Sequence, residues 1–245
     1  MISLSVCAPA YNEEAGILQI INKWIFSLER AVEGNSISEY EIVICDDGSL
    51  DQTVKTIESI ENENVRLIRN LRNEGPGVAI KNAIRSSKMN FVITIDSDGQ
   101  FLLDEALSWI RESDKPIAVL GYREKADRTL LKIGSAISTK LLRATLGSRI
   151  PDANCMLKLI PGEVARSLDL RAVGLNYSGE MTFLICTTQP EVEWKKVSHH
   201  NRTTGKSSVR LLRDGFRRLV FQVFLIFEFI LIKNGVLSLR NGISK

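Results

Sequence analysis

Through its first 120 residues the sequence alternates short apolar runs with segments of helical periodicity, and three of the runs end in clusters of carboxylates. Apolar runs of this length bounded by turn signals read as strands, and apolar residues at three- and four-residue spacing read as helices. Ile2–Ala8, Glu41–Cys45, Val65–Arg69, Phe91–Ile95 and Ile117–Leu120 are therefore predicted strands. Glu13–Ala31, Asp51–Ile60, Gly77–Ser87 and Leu103–Arg111 are predicted helices. Such alternation predicts an α/β fold, a mainly parallel sheet with helices on both faces. Ligands of these sheets bind outside the carboxyl ends of the strands. Strand one runs into Pro9-Ala10-Tyr11-Asn12-Glu13-Glu14, strand two into Asp46-Asp47-Gly48-Ser49, and strand four into Asp96-Ser97-Asp98-Gly99-Gln100. One carboxylate after a strand means little, but three sets at one sheet edge predict a site.

The second half is less regular. Arg128–Leu146 is a predicted helix, Cys155–Ile160 a strand, Gly179–Thr187 a helix and Glu191–Ser198 a strand. Leu219–Ile232 is apolar except for Gln222 and Glu228, yet shorter than the roughly 20 residues that cross a bilayer. Arg210, Arg213, Arg217 and Arg218 precede it. Basic residues beside an apolar stretch suit a helix lying on a membrane surface; they equally suit a helix buried in the core or against a second copy of the chain. A length of 245 residues accommodates one domain with an appended segment: residues 1–205 as the α/β domain, and 206–245 as a basic and apolar helical tail.

Charge follows the same division. Residues 195–245 hold eleven Lys and Arg against two acids, whereas the rest holds 21 bases against 27 acids. A basic tail on a mildly acidic body suggests an anionic surface or a phosphate-bearing partner, or simply a solvated helix. Nucleic acid is not an expected partner. The four cysteines, Cys7, Cys45, Cys155 and Cys186, lack metal-ligand spacing and read as small buried hydrophobes of a reducing compartment. The strand pattern begins almost at the N-terminus, so no signal peptide is expected and cytoplasmic residence follows.

Chemistry concentrates in four motifs. Asp96-x-Asp98 places two carboxylates just past a buried strand, where they can face one divalent cation together with diphosphate oxygens, with Gln100 as a third polar contact. Mg²⁺ and Mn²⁺ favour such oxygen donors. Asp46-Asp47-Gly48-Ser49 can receive a base or ribose, or form an Asx turn that caps the next helix. Asn73-Glu74-Gly75-Pro76-Gly77 offers glycines that can bring backbone amides to phosphate, although the dinucleotide and P-loop fingerprints are missing. Arg202-Thr203-Thr204-Gly205-Lys206-Ser207 reads as a phosphate clamp or as a solvated basic loop. The adjacent His199 and His200 are an improbable metal site.

Together these motifs, with Pro9-Ala10-Tyr11-Asn12-Glu13 in front, resemble family 2 glycosyltransferases of the GT-A fold, in particular the dolichyl-phosphate mannosyltransferase-like branch. The resemblance covers about 200 residues in the family's order. It implies that Pro9, Tyr11, Glu13, Asp46 and Asp47 line the nucleotide pocket with Gly75, and that Asp96, Asp98 and Gln100 hold Mg²⁺ or Mn²⁺ and the diphosphate. Arg123 in Gly121-Tyr122-Arg123 resembles the arginine that meets an acceptor phosphate, while Arg202, Lys206 and Ser207 resemble a mobile phosphate-binding loop. Asp152 in Pro151-Asp152-Ala153-Asn154-Cys155 matches an aspartate preceding a family strand, and Glu180 an acidic residue of the acceptor region. Departures are Phe101-Leu102-Leu103 after the metal motif, Ser208 where lysine is common, and Pro76 inside the glycine loop.

The reaction so implied is inverting transfer from a nucleotide diphosphate-sugar, a UDP- or GDP-sugar, to a polyprenyl phosphate at the cytoplasmic face of a membrane. A phosphate acceptor needs no general base, so Arg123, Arg202 and Lys206 would position it. A sugar or lipid hydroxyl acceptor would need a base within reach, and Asp152 or Glu180 is the candidate. A non-catalytic nucleotide-sugar-binding protein is the remaining reading, and a homo-oligomer built on Leu219–Ile232 stays open.

Overall fold

The structure, a computed structural model, describes residues 2–112, 117–123, 139–143, 150–202, 220–221, 223–231 and 234. Seven strands form one sheet in the order β3-β2-β1-β4-β6-β5-β7. They are β1 (Ser3–Ala10), β2 (Glu39–Asp46), β3 (Val65–Arg69), β4 (Phe91–Thr94), β5 (Ala118–Arg123), β6 (Lys158–Pro161) and β7 (Val192–Val197). β1, β2, β3 and β4 pair in parallel, as do β5 and β7. β6 runs antiparallel between β4 and β5. The mainly parallel α/β sheet expected from the alternation is therefore present, with one reversed strand.

Every residue of β1 is buried, and so is all of β2 after Glu39. Helices cover both faces of the central strands, which explains their unbroken apolar character. The edge strand β3 is only half-buried. The helices are α1 (Ile17–Glu33), α2 (Thr53–Glu58), α3 (Pro76–Ser86), α4 (Leu103–Glu112), α5 (Gly162–Ser167) and α6 (Tyr177–Thr188). α1 buries Ile17, Ile20, Ile21, Trp24, Leu28 and Ala31, the one-sided stripe of an amphipathic helix. Pro76 does not interrupt a glycine loop. It opens α3 as the first helical residue, where its missing N–H costs nothing.

Residues 139–143, 220–221 and 223–231 are helical, within the predicted spans Arg128–Leu146 and Leu219–Ile232; the rest of Arg128–Leu146, Lys206, Ser207 and most of 206–245 lie outside the described residues. Leu225 is buried, whereas Val220, Val223, Phe224, Phe227 and Ile230 are exposed. Among the described residues no helix is long and apolar enough to cross a membrane. Cys7, Cys45 and Cys155 are buried free thiols, and burial pushes those of Cys45 and Cys155 up to about 12.

Candidate active site

Strand register gathers the three polar clusters. Ala10 pairs with Asp46 across β1 and β2, and Cys7 pairs with Thr94 across β1 and β4, so all three strands end on the same edge. The loops that follow are sewn together. Ser97 Oγ donates to the Pro9 carbonyl at 2.6 Å, Asn12 N to Ser49 Oγ at 2.9 Å, Leu50 N to Asn12 Oδ1 at 2.8 Å and Glu13 N to Thr53 Oγ1 at 2.8 Å. Asn12 takes the left-handed conformation, with φ 54°, one that asparagine tolerates better than most residues. Pro9 is buried and Tyr11 half-buried within this loop.

The two aspartates after β2 have different tasks. Asp46 Oδ2 accepts from the Gly48 and Ser49 amides at 3.1 and 3.0 Å, an Asx turn, while the buried Oδ1 has no hydrogen-bond partner among the described residues. A buried polar atom left unpaired marks a place where a donor is missing. Asp47 is fully committed. It accepts from Asn70 Nδ2, Glu74 N and Gly75 N, at 2.8, 2.9 and 2.8 Å, and so pins the loop before α3.

That loop corrects the reading of Gly75 as a phosphate-facing glycine. Its amide is spent on Asp47, its φ is 99°, and an added Cβ would lie 2.4 Å from the Val173 carbonyl. The Gly77 amide donates to that same carbonyl at 2.9 Å, and a Cβ there would sit 1.8 Å from the Ala172 carbonyl. The glycines admit the backbone of residues 172–173, not a phosphate.

Asp96 and Asp98 come together as the sequence suggests. Asp96 Oδ1 accepts from Tyr177 Oη at 2.8 Å, and Asp98 Oδ1 accepts from Gln100 N at 3.1 Å. Burial, followed by the charge of Asp98, pushes Asp96 up to about 7; burial also raises Asp98. Two such carboxylates, each with its second oxygen outside these hydrogen bonds, form a donor set suited to a hard divalent cation. Among the described residues no group of three or more His, Cys, Asp or Glu could hold a metal, so a cation at this pair would complete its shell from diphosphate and water. Gln100 faces elsewhere than expected. Its Nε2 donates to the His200 carbonyl at 3.1 Å, and its backbone carbonyl accepts from His200 N at 2.9 Å.

Residues 198–202 cross the edge of the site. Ser198 N donates to Glu105 at 3.0 Å, His199 meets the Phe101 ring edge-on, and Arg202 forms an ion pair with the largely buried Glu13. Burial raises the Glu13 carboxyl more than Arg202 lowers it. The charge of Arg202 also acts on Asp98.

On the other side, Arg123 ends β5 and grips Asp152 with two bonds, Nε to Oδ2 at 2.7 Å and Nη2 to Oδ1 at 3.1 Å. Asp152 also accepts from Asn154 N at 2.9 Å. Burial alone would raise Asp152, but the bonds and charge of Arg123 outweigh it and hold the carboxyl below its ordinary value. A carboxylate committed in this way is a poor general base. Glu180 is fully buried and accepts from the Arg171 and Ala172 amides at 2.9 and 2.8 Å. It anchors the segment packed on Gly75 and Gly77 and presents no base. Neither of the two candidate bases is thus available for proton abstraction.

Two residues of the site escape sequence reasoning. Tyr177, at the start of α6, holds Asp96. Lys158, the first residue of β6, is 1% exposed, and burial pulls its ammonium down to about 8. Lys158 sits in an apolar strand pattern, and Tyr177 lies 81 residues from its partner; neither has a local signature.

The sheet order, the carboxylate pair beyond β4 and the reversed β6 define a GT-A fold. A family model of glycosyl transferase family 2 matches residues 5–157, more than half of the chain, and the chain belongs to that family. Similar proteins include a dolichyl-phosphate beta-glucosyltransferase of Dictyostelium discoideum, 27% identical over 87% of this chain and 72% of the relative. A second dolichyl-phosphate beta-glucosyltransferase, from Trichomonas vaginalis, is 29% identical over 65% of this chain and 52% of its own length. An undecaprenyl-phosphate 4-deoxy-4-formamido-L-arabinose transferase of Proteus mirabilis is also 29% identical, over 63% and 48%. The chain thus spans only about half the length of the last two. Among solved structures, glucosyl-3-phosphoglycerate synthase from Mycobacterium tuberculosis in complex with UDP superposes with a TM-score of 0.64, at 18% identity, over 92% of this chain and 80% of that one. The same enzyme with Mn²⁺, UDP and glucosyl-3-phosphoglycerate gives 0.60. At such identity the likeness is one of fold.

Proposed function

We propose that this chain is an inverting, metal-dependent glycosyltransferase that moves a sugar from a nucleotide diphosphate-sugar, a uridine diphosphate-sugar in particular, to a polyprenyl phosphate. The observation that carries the acceptor is the commitment of Asp152 and Glu180. Both candidate bases are spent, on Arg123 and on backbone amides, while Arg123, held in place by Asp152, keeps a charge that still acts on Asp96. An acceptor that brings its own anion needs that cation and no base. The names of the dolichyl- and undecaprenyl-phosphate relatives support the same acceptor.

Asp46 Oδ1, with no partner among the described residues, supports the nucleotide side. Because the other oxygen is spent on its own turn, one acceptor remains, which suits the single imide N–H of uracil. The UDP in the fold neighbours supports the same choice. Asp96 and Asp98 would hold Mg²⁺ or Mn²⁺, which when bound supplies charge neutralisation for the departing diphosphate. Arg202 would leave Glu13 for the donor or acceptor phosphate, Lys206 and Ser207 would add further phosphate contacts, and Arg123 would orient the acceptor oxygen toward the anomeric carbon. Residues 1–205 form the transferase domain in this reading. The basic and apolar stretch 206–245 rests on the cytoplasmic face of a membrane, where the acceptor resides.

A thermal-shift series with UDP, GDP and CDP, with and without Mn²⁺, tests the donor. A ligand at 100 times its Kd adds about 2.7 kcal/mol, so UDP with Mn²⁺ is expected to raise the melting temperature by roughly 5 °C or more. The shift should vanish in Asp98→Ala. Transfer from UDP-glucose to a short-chain polyprenyl phosphate, compared with glucose and glycerol acceptors, tests the rest. Folded protein that shifts with no nucleotide would sink the donor reading; transfer to hydroxyl acceptors alone would sink the acceptor reading.

A further inference from the structure

We propose that Lys158 and Tyr177 are positioning residues of the transfer site, Lys158 joining the roots of its metal-facing and acceptor-facing halves from behind; this rests on the transferase reading above. Lys158 lies in the middle of the sheet, opposite Thr94 of β4 and Leu120 of β5. Its ammonium donates to the Cys155 carbonyl and, at 3.1 Å, to Ser178 Oγ, and among the described residues it makes no ion pair. Packing alone does not account for it, because an apolar side chain of similar volume fills a core without desolvating a charge.

The two anchors explain the placement. Cys155 lies three residues beyond Asp152, which grips Arg123, and Ser178 directly follows Tyr177, which donates to Asp96. One ammonium therefore ties the segment that carries Asp152 to the helical turn that carries Tyr177. The same seam is closed by Ser178 Oγ on the Cys155 carbonyl at 3.0 Å and Thr182 Oγ1 on the Ala153 carbonyl at 2.8 Å. The Lys158 charge acts on both Asp96 and Asp152. Groups that orient metal-facing carboxylates in this manner typically change affinity or activity 10- to 100-fold when removed.

Lys158→Met, Ser178→Ala and Tyr177→Phe test the inference, each measured for Mn²⁺ affinity in the presence of UDP by the electron paramagnetic resonance of free Mn²⁺, for kcat and KM, and for thermal unfolding. Lys158→Met is expected to keep or raise the melting temperature, as replacement of a buried charge often does, while Mn²⁺ affinity falls about 10-fold and kcat about 10- to 100-fold. Tyr177→Phe should reproduce the loss of Mn²⁺ affinity with the acceptor KM unchanged. A residue of purely structural importance would move the melting temperature and spare both. Wild-type Mn²⁺ affinity and kcat in Lys158→Met overturn the inference. So does a Lys158→Met chain that fails to fold while Tyr177→Phe and Ser178→Ala bind Mn²⁺ normally. Wild-type protein that binds no Mn²⁺ with UDP overturns the transferase reading, and this inference with it.

Discussion

Asp98→Asn is expected to slow sugar transfer roughly 1000-fold while the melting temperature of the metal-free protein holds or rises. The side chain is nearly isosteric and its amide oxygen can still accept from Gln100 N, the bond that shapes the turn. What would disappear, in the proposed reading, is one of two anionic ligands of the metal. A metal ion contributes several kcal/mol of charge stabilisation in a transition state, and about 4 kcal/mol corresponds to the stated factor. Stability moves the other way because the charges of Asp96 and Asp98 repel each other in the absence of a cation. Single-turnover kinetics with UDP-glucose and calorimetry on the same samples check both halves. A variant within 10-fold of wild-type activity would remove Asp98 from the chemistry.

Asp152→Asn should be the most damaging of the conservative changes to stability, costing about 3 kcal/mol at neutral pH, because loss of one partner strands the other charge in a largely buried place. For a domain of this size that lowers the melting temperature by roughly 6–12 °C. The pH dependence has a definite sign. The folded-state pKa of Asp152 lies below its ordinary value, which for an unfolded aspartate is about 3.9. The native carboxylate thus binds fewer protons, and its contribution is present above about pH 4 and lost as pH falls through the folded value. Urea melts between pH 3 and 8 should show wild type and Asp152→Asn far apart at neutral pH and converging in acid. Transfer to a phosphate acceptor should fall together with stability, since Arg123 loses its orientation. An Asp152→Asn protein of full stability that loses only hydroxyl-acceptor activity would restore the general-base role.

The strands were legible because burial on both faces leaves a mark that needs no partner to be read: all seven predicted strands exist, and Val65–Arg69 matches to the residue. The reversal of β6 left no such mark, since four apolar-flanked residues look alike in either direction. Asp96 and Asp98 stood out only in company: a carboxylate after one strand has other uses, as Asp47 shows, but three polar clusters predicted at one sheet edge mark a place, and the register of β1, β2 and β4 gathers them there. Gly75 and Gly77 were misread for the opposite reason. A glycine signals that something approaches closely, but not whether it is a phosphate or the carbonyls of Ala172 and Val173 nearly a hundred residues away. The same distance hid the burial of Glu180 and the bond between Tyr177 and Asp96. The short helix Gly162–Ser167, too brief to develop a periodic stripe, went unpredicted.

The reversed strand also makes part of this protein exchangeable. The chain leaves the sheet after Arg123 and re-enters it at Lys158, and its exit and return are already fastened to each other, with Gly121 N bonded to the Leu157 carbonyl at 2.9 Å and Leu120 paired with Lys158. Closing a longer excursion between such fixed ends costs only about 0.6 kcal/mol for each doubling of its length. Insertions after Arg123 should therefore leave the sheet and the Arg123–Asp152 clasp intact, whereas changes at 139–143 should not be neutral, because Leu142 is buried in the core, Thr139 Oγ1 accepts from Ala153 N and Arg143 donates to the Pro151 carbonyl. The loops after β1, β2 and β4 lie outside that excursion, so a change of its length acts on the Arg123 side of the site and leaves the Asp96–Asp98 side as it is.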